Sequence, residues 1–386
     1  MDHAAKIMDR LDALGRISEE PDRLTRRFAT PAMRKASDLV GGWMQESGMS
    51  VRQDPIGNLF GRFPGAAEDA KVLLLGSHLD TVPDAGKFDG ALGVVMAVSC
   101  VEKLARARLP FAIEVAAFAD EEGSRFHTSY LGSSAVVGDT AQAHRPDIRA
   151  AIREFGGDPN HLEQCRISGE TLLAYAEVHI EQGPQLEREN LPVGVVRAIA
   201  GQTRANVRFA GKAGHAGTTP MDARQDALCA AARFVLDVES HARRTNGLVA
   251  TVGKLTVEPG ASNVIPGCVD LTVDVRHESD AERLAAVDLF KRIAPSWTTV
   301  GDTPAVRCSD EHVKRMAAAC LRHQPRALDM LSGAGHDAAI LARIAPVAML
   351  FVRCKEGLSH HPAESVEPGD VAVAFDVFFD YIHALV

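Results

Sequence analysis

Apolar positions follow two periods along this chain. After Thr30-Pro31, a capping residue and a first helical proline, Met33, Ala36, Leu39, Val40, Trp43 and Met44 recur at helical spacing, and Gly48 closes the run. Lys71–Gly76 (KVLLLG) predicts a buried strand, Ala91–Leu109 a helix, and Ala112–Ala119 (AIEVAAFA) a second strand. Strand, helix and strand of this length form a βαβ unit, which implies a parallel sheet. Leu173–Ile180 predicts another strand.

The middle of the chain changes period. Thr203–Ala210 alternates, with Ala205, Val207 and Phe209 opposite Asn206 and Arg208. A long helix is predicted over Met221–Arg243, strands over Leu248–Val257 and Cys268–Arg276, a helix over Ala281–Ile293, and a last strand within Trp297–Cys308. The order β-α-β-β-α-β predicts a ferredoxin-like insert on a four-stranded antiparallel sheet. In Cys268–Arg276, Val269, Leu271, Val273 and Val275 share one face, which leaves Arg276 on the polar face at the strand end. Beyond about residue 310 a helix (Glu311–Arg322), an apolar strand (Val347–Arg353) and a terminal helix (Pro368–Leu385) follow. Residues 1–202 and 310–386 therefore read as one α/β domain, interrupted by an insert over 203–309.

Length agrees with that division, since 386 residues suit two domains of about 100–200 residues each. A net charge of −9, with no Lys/Arg run longer than a pair, argues against nucleic acid or an anionic membrane as partner. The seven cysteines are scattered and never form CxxC, which points to a reducing compartment rather than a disulfide framework. The longest apolar stretch, Ala345–Val352, contains Pro346 and is too short to span a bilayer. The opening MDHAAKIMDRLDALGRI shows no apolar signal core, so a soluble, cytoplasmic protein is expected.

Four clusters carry chemistry, and each follows a predicted strand. They are His78-Leu79-Asp80 with Asp89; Asp120-Glu121-Glu122; His179-Ile180-Glu181-Gln182; and Ser359-His360-His361 with Glu364. Ligands bind at the carboxyl ends of strands in open α/β sheets. Three adjacent acids at such a place repel one another unless solvated or neutralised by a cation. Histidines with Asp89 and an acid from 120–122 suit two borderline divalent ions such as Zn²⁺ or Mn²⁺, and Asp80 is placed to hold the far nitrogen of His78. Any one of these histidines alone is more often a surface or core residue, and the acidic run alone more often a solvated face.

The string GSHLDTVPDAGKFDGALGVV resembles the metal loop of the di-metal aminoacylase/carboxypeptidase superfamily. ADEEGSRF, VHIEQGP, GHAGTTPM, ASNVIPG, SGAGHDA and GLSHHPAE are similar to one branch of it, the ureido amidohydrolases of hydantoinase/carbamoylase type. That branch includes allantoate amidohydrolases, N-carbamoyl-L-amino-acid hydrolases and β-ureidopropionases. The resemblance runs from about residue 50 to 370 and is strongest toward allantoate amidohydrolases. It implies a di-metal peptidase-like catalytic domain with a mostly parallel central sheet, and a ferredoxin-like α+β lid or dimerisation domain. It also implies a hydrolase that cleaves the ureido C–N bond of a small carboxylate substrate and releases ammonia and CO2. Allantoate is the first expectation and an N-carbamoyl-L-amino acid the alternative; an aminoacylase or dipeptidase is disfavoured, because plain peptidases usually carry a carboxylate where His179 stands.

Carried over position by position, the resemblance makes His78, Asp89, Glu122, His179 and His360 ligands of two Zn²⁺ or Mn²⁺ ions, with Asp89 bridging. Glu121 matches the general base and Asp80 the residue that orients His78. His215 matches a residue that reaches the partner subunit's site in a homodimer and stabilises the oxyanion. Gln182, Asn263, Arg276 and His336 match substrate-contacting positions, Arg276 being the one that holds the substrate carboxylate. Read alone, His336 serves equally as a loop support and Asn263 as an Asx-turn residue. His361 stands where the family often has Asn, and His360 is preferred because it follows Ser359 directly. In Asp84-Ala85-Gly86, Gly86 is expected to supply a positive φ.

Overall fold

The computed structural model describes residues 3–105 and 107–386. In chain order its strands are β1 (Ser50–Gln53), β2 (Leu59–Phe63), β3 (Val72–His78), β4 (Ala112–Phe118), β5 (Leu172–Ile180), β6 (Val193–Ile199), β7 (Gly201–Ala210), β8 (Gly214–His215), β9 (Val249–Glu258), β10 (Val264–Ile265), β11 (Cys268–His277), β12 (Trp297–Thr303), β13 (Val306–Arg307), β14 (Asp329–Ser332) and β15 (Val347–Val352). Contacts group the chain into two units. One ends at Arg197 and resumes over Cys308–Val386; the other is Ala198–Arg307.

The first unit is built on a mixed sheet in the order β1-β2-β4-β3-β5-β15-β6, with β14 added to β6, and within the second unit β13 pairs with the end of β6 at Ala198 and Ile199. Its centre is parallel: β3 pairs in parallel with β4 and with β5, and β15 pairs in parallel with β5. β1, β2 and β6 are joined antiparallel at the flanks. β3, β4 and β15 are buried at every residue, which is why each reads as a continuous apolar run rather than an alternating one. The sequence reading did not find β1, β2 or β6, and it covered β13 only within the strand expected over Trp297–Cys308.

The crossover helix between β3 and β4 spans Ala91–Leu104, shorter than the expected Ala91–Leu109. Ala105 takes φ 53 and ends it; Arg106, within the expected span, lies outside the described residues. Almost every side chain of this helix is buried, and Gly93 is pressed so close to the sheet that a Cβ would stand 2.2 Å from the Val178 carbonyl oxygen. The helix Pro31–Glu46 starts as expected, with the Thr30 side chain accepting from the Met33 amide at 3.2 Å. Among the described residues no helix is long and apolar enough to cross a membrane.

The second unit is a four-stranded antiparallel sheet in the order β12-β7-β11-β9, crossed by helices Ala227–Arg244 and Asp280–Ile293. In order of appearance these strands lie 4-1-3-2, the ferredoxin-like arrangement. Alternation along β11 buries Val269, Leu271, Val273 and Val275 against Phe234 and Phe290 and leaves Arg276 on the other face. The long helix begins at Ala227 rather than Met221, because Asp226 accepts from the amides of Leu228 and Cys229 and caps it there. The expected strand Trp297–Cys308 is two: β12 pairs with β7, and β13 pairs with β6.

Candidate metal centre

The four central parallel strands end on one side of the sheet, so the residues that follow β4, β3, β5 and β15 meet there. His78 ends β3, His179 lies next to last on β5, the acids 120–122 follow β4, and Ser359 and His360 follow β15. Asp89 arrives on the loop after β3. Its Oδ1 lies 3.4 Å from His78 Nε2 and 3.2 Å from His179 Nε2. Its Oδ2 lies 3.6 Å from His360 Nε2, which is also 3.2 Å from Glu122 Oε1. Two donor sets thus share one carboxylate, His78–Asp89–His179 and Asp89–Glu122–His360, each with ligand atoms within 4.8 Å of one another. His361 turns away, its Nδ1 accepting from the Ala363 amide at 3.1 Å.

The chemistry of these donors fits divalent ions. His78 Nδ1 stands 3.0 Å from the Asp80 carbonyl oxygen and His179 Nδ1 2.9 Å from the Ile180 carbonyl oxygen. A carbonyl only accepts, so each Nδ1 carries a hydrogen and donates it. Each Nε2 then faces Asp89 either with a lone pair or with a second proton, and a cation between them satisfies both imidazoles and the carboxylate together. Charge says the same. Burial opposes the charged form of His78, yet Asp89, Glu121 and Asp80 push its pKa well above the usual range. Burial, opposed by His78 and reinforced by Glu122, holds the Glu121 carboxyl well above the ordinary carboxylate value. The cluster has an excess of buried acid that cations relieve.

Local backbone explains how the sequence builds this. Asp80, fully buried, accepts from the amides of Glu121 and Glu122 at 3.2 and 3.1 Å and so pins the acidic loop to the β3 loop. Asp80 also lies against His78, whose Nδ1 is 3.0 Å from the Asp80 carbonyl oxygen and 3.7 Å from its Oδ1. Gly90 takes φ 64, and a Cβ there would stand 2.4 Å from the His78 ring, so glycine is required on both counts. Gly86 does not supply the positive φ expected of it; Asp84 does, at φ 55. Gly86 instead leaves room for Glu364, whose Cβ would be 2.3 Å from an added Cβ.

Other expected site residues fall in three places. Gln182 is in the centre, its Nε2 donating to Asp89 Oδ2 at 2.8 Å and to Ser359 Oγ at 3.2 Å. His336 is buried behind it, held by Ser332 Oγ at 2.8 Å, with its ring edge-on to His179 at 4.5 Å between centroids. His215, Asn263 and Arg276 belong to the second unit. There His215 is brought beside Asn263, because β8 pairs with β10 and the Ala216 amide donates to the Asn263 carbonyl at 3.0 Å. Arg276 is not near them within that sheet. It stands at the far end of β11 from Cys268, and its guanidinium grips Asp274 through Nε at 2.8 Å and Nη2 at 3.0 Å.

Glu177 and Arg26 escaped the sequence reading, and Glu364 stood in the fourth cluster without an assigned role. Glu364 accepts from the amides of Phe88 and Asp89 at 2.8 and 3.1 Å, and burial, then Asp89, push its pKa up to about 7. Glu177, buried on β5, takes hydrogen bonds from Ser77 Oγ, Tyr175 OH and the Ala338 amide beneath the histidines. Arg26, also buried, spans the carbonyls of Leu79 at 2.8 Å, Leu14 at 2.7 Å and Ile17 at 3.1 Å; burial brings its pKa down to about 10. Only Glu364 had a visible signal, its place in the SHHPAE string.

The chain is similar to known proteins over nearly its full length. The profile of Peptidase family M20/M25/M40 matches residues 74–384. Allantoate deiminase 1 of Glycine max is 39% identical over 95% of this chain and 86% of that protein. N-carbamoyl-L-amino acid amidohydrolase of Geobacillus stearothermophilus is 38% identical over 98% of both chains. The crystal structure of a hydantoinase/carbamoylase family amidase from Burkholderia multivorans superposes with a TM-score of 0.90 at 32% identity, over 99% of this chain and 97% of that one. A family profile matching most of the chain, together with similarity over nearly its full length, shows that the chain belongs to peptidase family M20/M25/M40 and, within it, to the hydantoinase/carbamoylase amidases.

Proposed function

We propose that this chain is a two-ion amidohydrolase that cleaves the ureido C–N bond of a small carboxylate, with allantoate as its substrate. The observation that carries the reading is Asp89 shared between two histidine-containing donor sets, with Glu121 beside them within 4.8 Å of His78 and Glu122. His78 and His179 with Asp89 would hold one ion, and Glu122 and His360 with Asp89 the other, Zn²⁺ and Mn²⁺ both suiting these ligands. Such ions supply Lewis acidity and lower the pKa of water toward neutrality. Glu121 takes the proton of the attacking water as the C–O bond forms at the ureido carbon, and returns it to the nitrogen whose C–N bond breaks. The carbamate released decomposes to ammonia and CO2. Arg276 offers a planar guanidinium to the substrate carboxylate, in a geometry lysine does not reproduce. An N-carbamoyl-L-amino acid is the second reading, favoured by similarity over 98% of both chains to an amidohydrolase of that name.

The second unit supports a homodimer whose sites use residues of both copies. β8 and β10 leave the sheet where β7 and β11 meet, at Ala210 and Cys268, while Arg276 is eight residues along β11, about 27 Å away at 3.4 Å per residue. A substrate of a few ångströms cannot touch His215, Asn263 and Arg276 of one copy together. The same unit exposes Met221, Leu236, Val249 and Leu255, the last two on the edge strand β9, which has one sheet neighbour. All seven cysteines are free, which agrees with a reducing cytoplasm.

The test is ammonia release by ion-stripped protein reloaded with Mn²⁺ or Zn²⁺. Allantoate is run beside N-carbamoyl-L-amino acids and N-carbamoyl-β-alanine, and the fastest turnover is expected with allantoate. Preference for a carbamoyl amino acid would keep the mechanism and change the substrate. Amino-acid release from acylated substrates without ammonia would overturn the ureido reading. For the shared site, His215→Ala and Glu121→Ala chains are each expected to be inactive. Mixed and re-paired, they should recover about a quarter of native activity, since half the symmetric dimers become mixed with one intact site each. No recovery would refute the cross-subunit role.

A further inference from the structure

The loop that carries Asp89 is held from outside by a side chain that is not among the metal donors. Glu364 is 5% exposed, and its Oε1 accepts from two consecutive amides, Phe88 at 2.8 Å and Asp89 at 3.1 Å. A carboxylate oxygen so engaged sets the position and tilt of the peptide plane from which the Asp89 side chain springs. Glu364 is itself tied to the other histidine loop, because its amide donates to the His361 carbonyl at 3.0 Å, one residue beyond His360. One side chain therefore connects the shared carboxylate to the loop bearing the His360 imidazole, across 275 residues of sequence. The tightness of the arrangement shows at Gly86, where an added Cβ would stand 2.5 Å from the same Oε1.

Resting on the two-ion reading above, we propose that Glu364 is a positioning residue for the metal centre: its Oε1 sets where Asp89 stands relative to His78, His179 and His360. It does this as an acceptor with a fixed reach. Neither its charge nor ligation of an ion is involved.

That distinction decides the experiment. Glu364→Gln keeps the reach and an acceptor oxygen but removes the charge; Glu364→Asp keeps the charge but shortens the reach by one methylene. Zn²⁺ affinity of the ion-stripped full-length chain is measured by competition with a chromophoric chelator, alongside circular dichroism of the ion-free proteins. Loss of an outer partner that orients a ligand typically weakens binding about 10–100-fold, and this loss is expected for Glu364→Asp, with Glu364→Gln staying within about threefold of native. Native affinity in Glu364→Asp would overturn the proposal. So would Glu364→Gln falling as far as Glu364→Asp, which would mean that charge or direct ligation matters. A native chain that binds no Zn²⁺ would instead refute the metal-centre reading, and this proposal with it.

Discussion

Glu121→Gln is expected to keep both ions and to lose about 10²–10⁴-fold in turnover, the usual contribution of a positioned proton carrier. Glu121 contributes to neither donor set that contains Asp89; it joins only the group with His78 and Glu122. Its backbone amide is held by Asp80, and that bond does not depend on the side chain. Gln preserves shape and an acceptor oxygen but removes the charge and with it the ability to take a proton. The check is metal content by atomic absorption beside single-turnover ammonia release. Near-native turnover would remove Glu121 from the mechanism. Loss of the ions together with activity would recast it as a ligand.

Asp89→Ala is expected to do the reverse, emptying both sites and abolishing activity. The Asp89 carboxylate is the one group the two donor sets have in common, so its removal strips a ligand from each. It also leaves His78 and His179 facing each other, and removes the acceptor of Gln182 and Ser359. The loss of affinity should exceed the roughly 10–100-fold typical of an outer partner, because a direct ligand is gone from both ions. Dialysis against a weak chelator followed by metal analysis measures it. Two retained ions per chain would show that Asp89 does not bridge.

Much of the fold was legible because burial and period agree. The central strands lie inside the sheet, so their apolar runs appear directly in the sequence, and the alternation of β11 gives its polar face. Places where the reading slipped had local causes that periodicity does not carry. A helix start moved to Ala227 because Asp226 caps it, and one expected strand became two because its ends pair with different sheets. β1 and β2, four and five residues long, lie at one flank and owe their place to neighbours rather than to pattern, and the seven-residue β6 was passed over.

For the site, residue types and their order pointed to His/acid clusters at strand ends, because metal chemistry restricts donors to a few side chains and strand ends are where such donors collect, while the individual ligands and the base were named through the family resemblance. The bridging place of Asp89 was already implied by the resemblance, whereas the grip of Asp80 on two amides of the acidic loop and the hold of Glu364 on the Asp89 loop from behind were decided only by tertiary structure. The reason is physical. Composition and period report what each residue prefers along its own strand or helix. A hydrogen bond between residues 89 and 364 depends on where the sheet brings two distant loops, and no local preference encodes that.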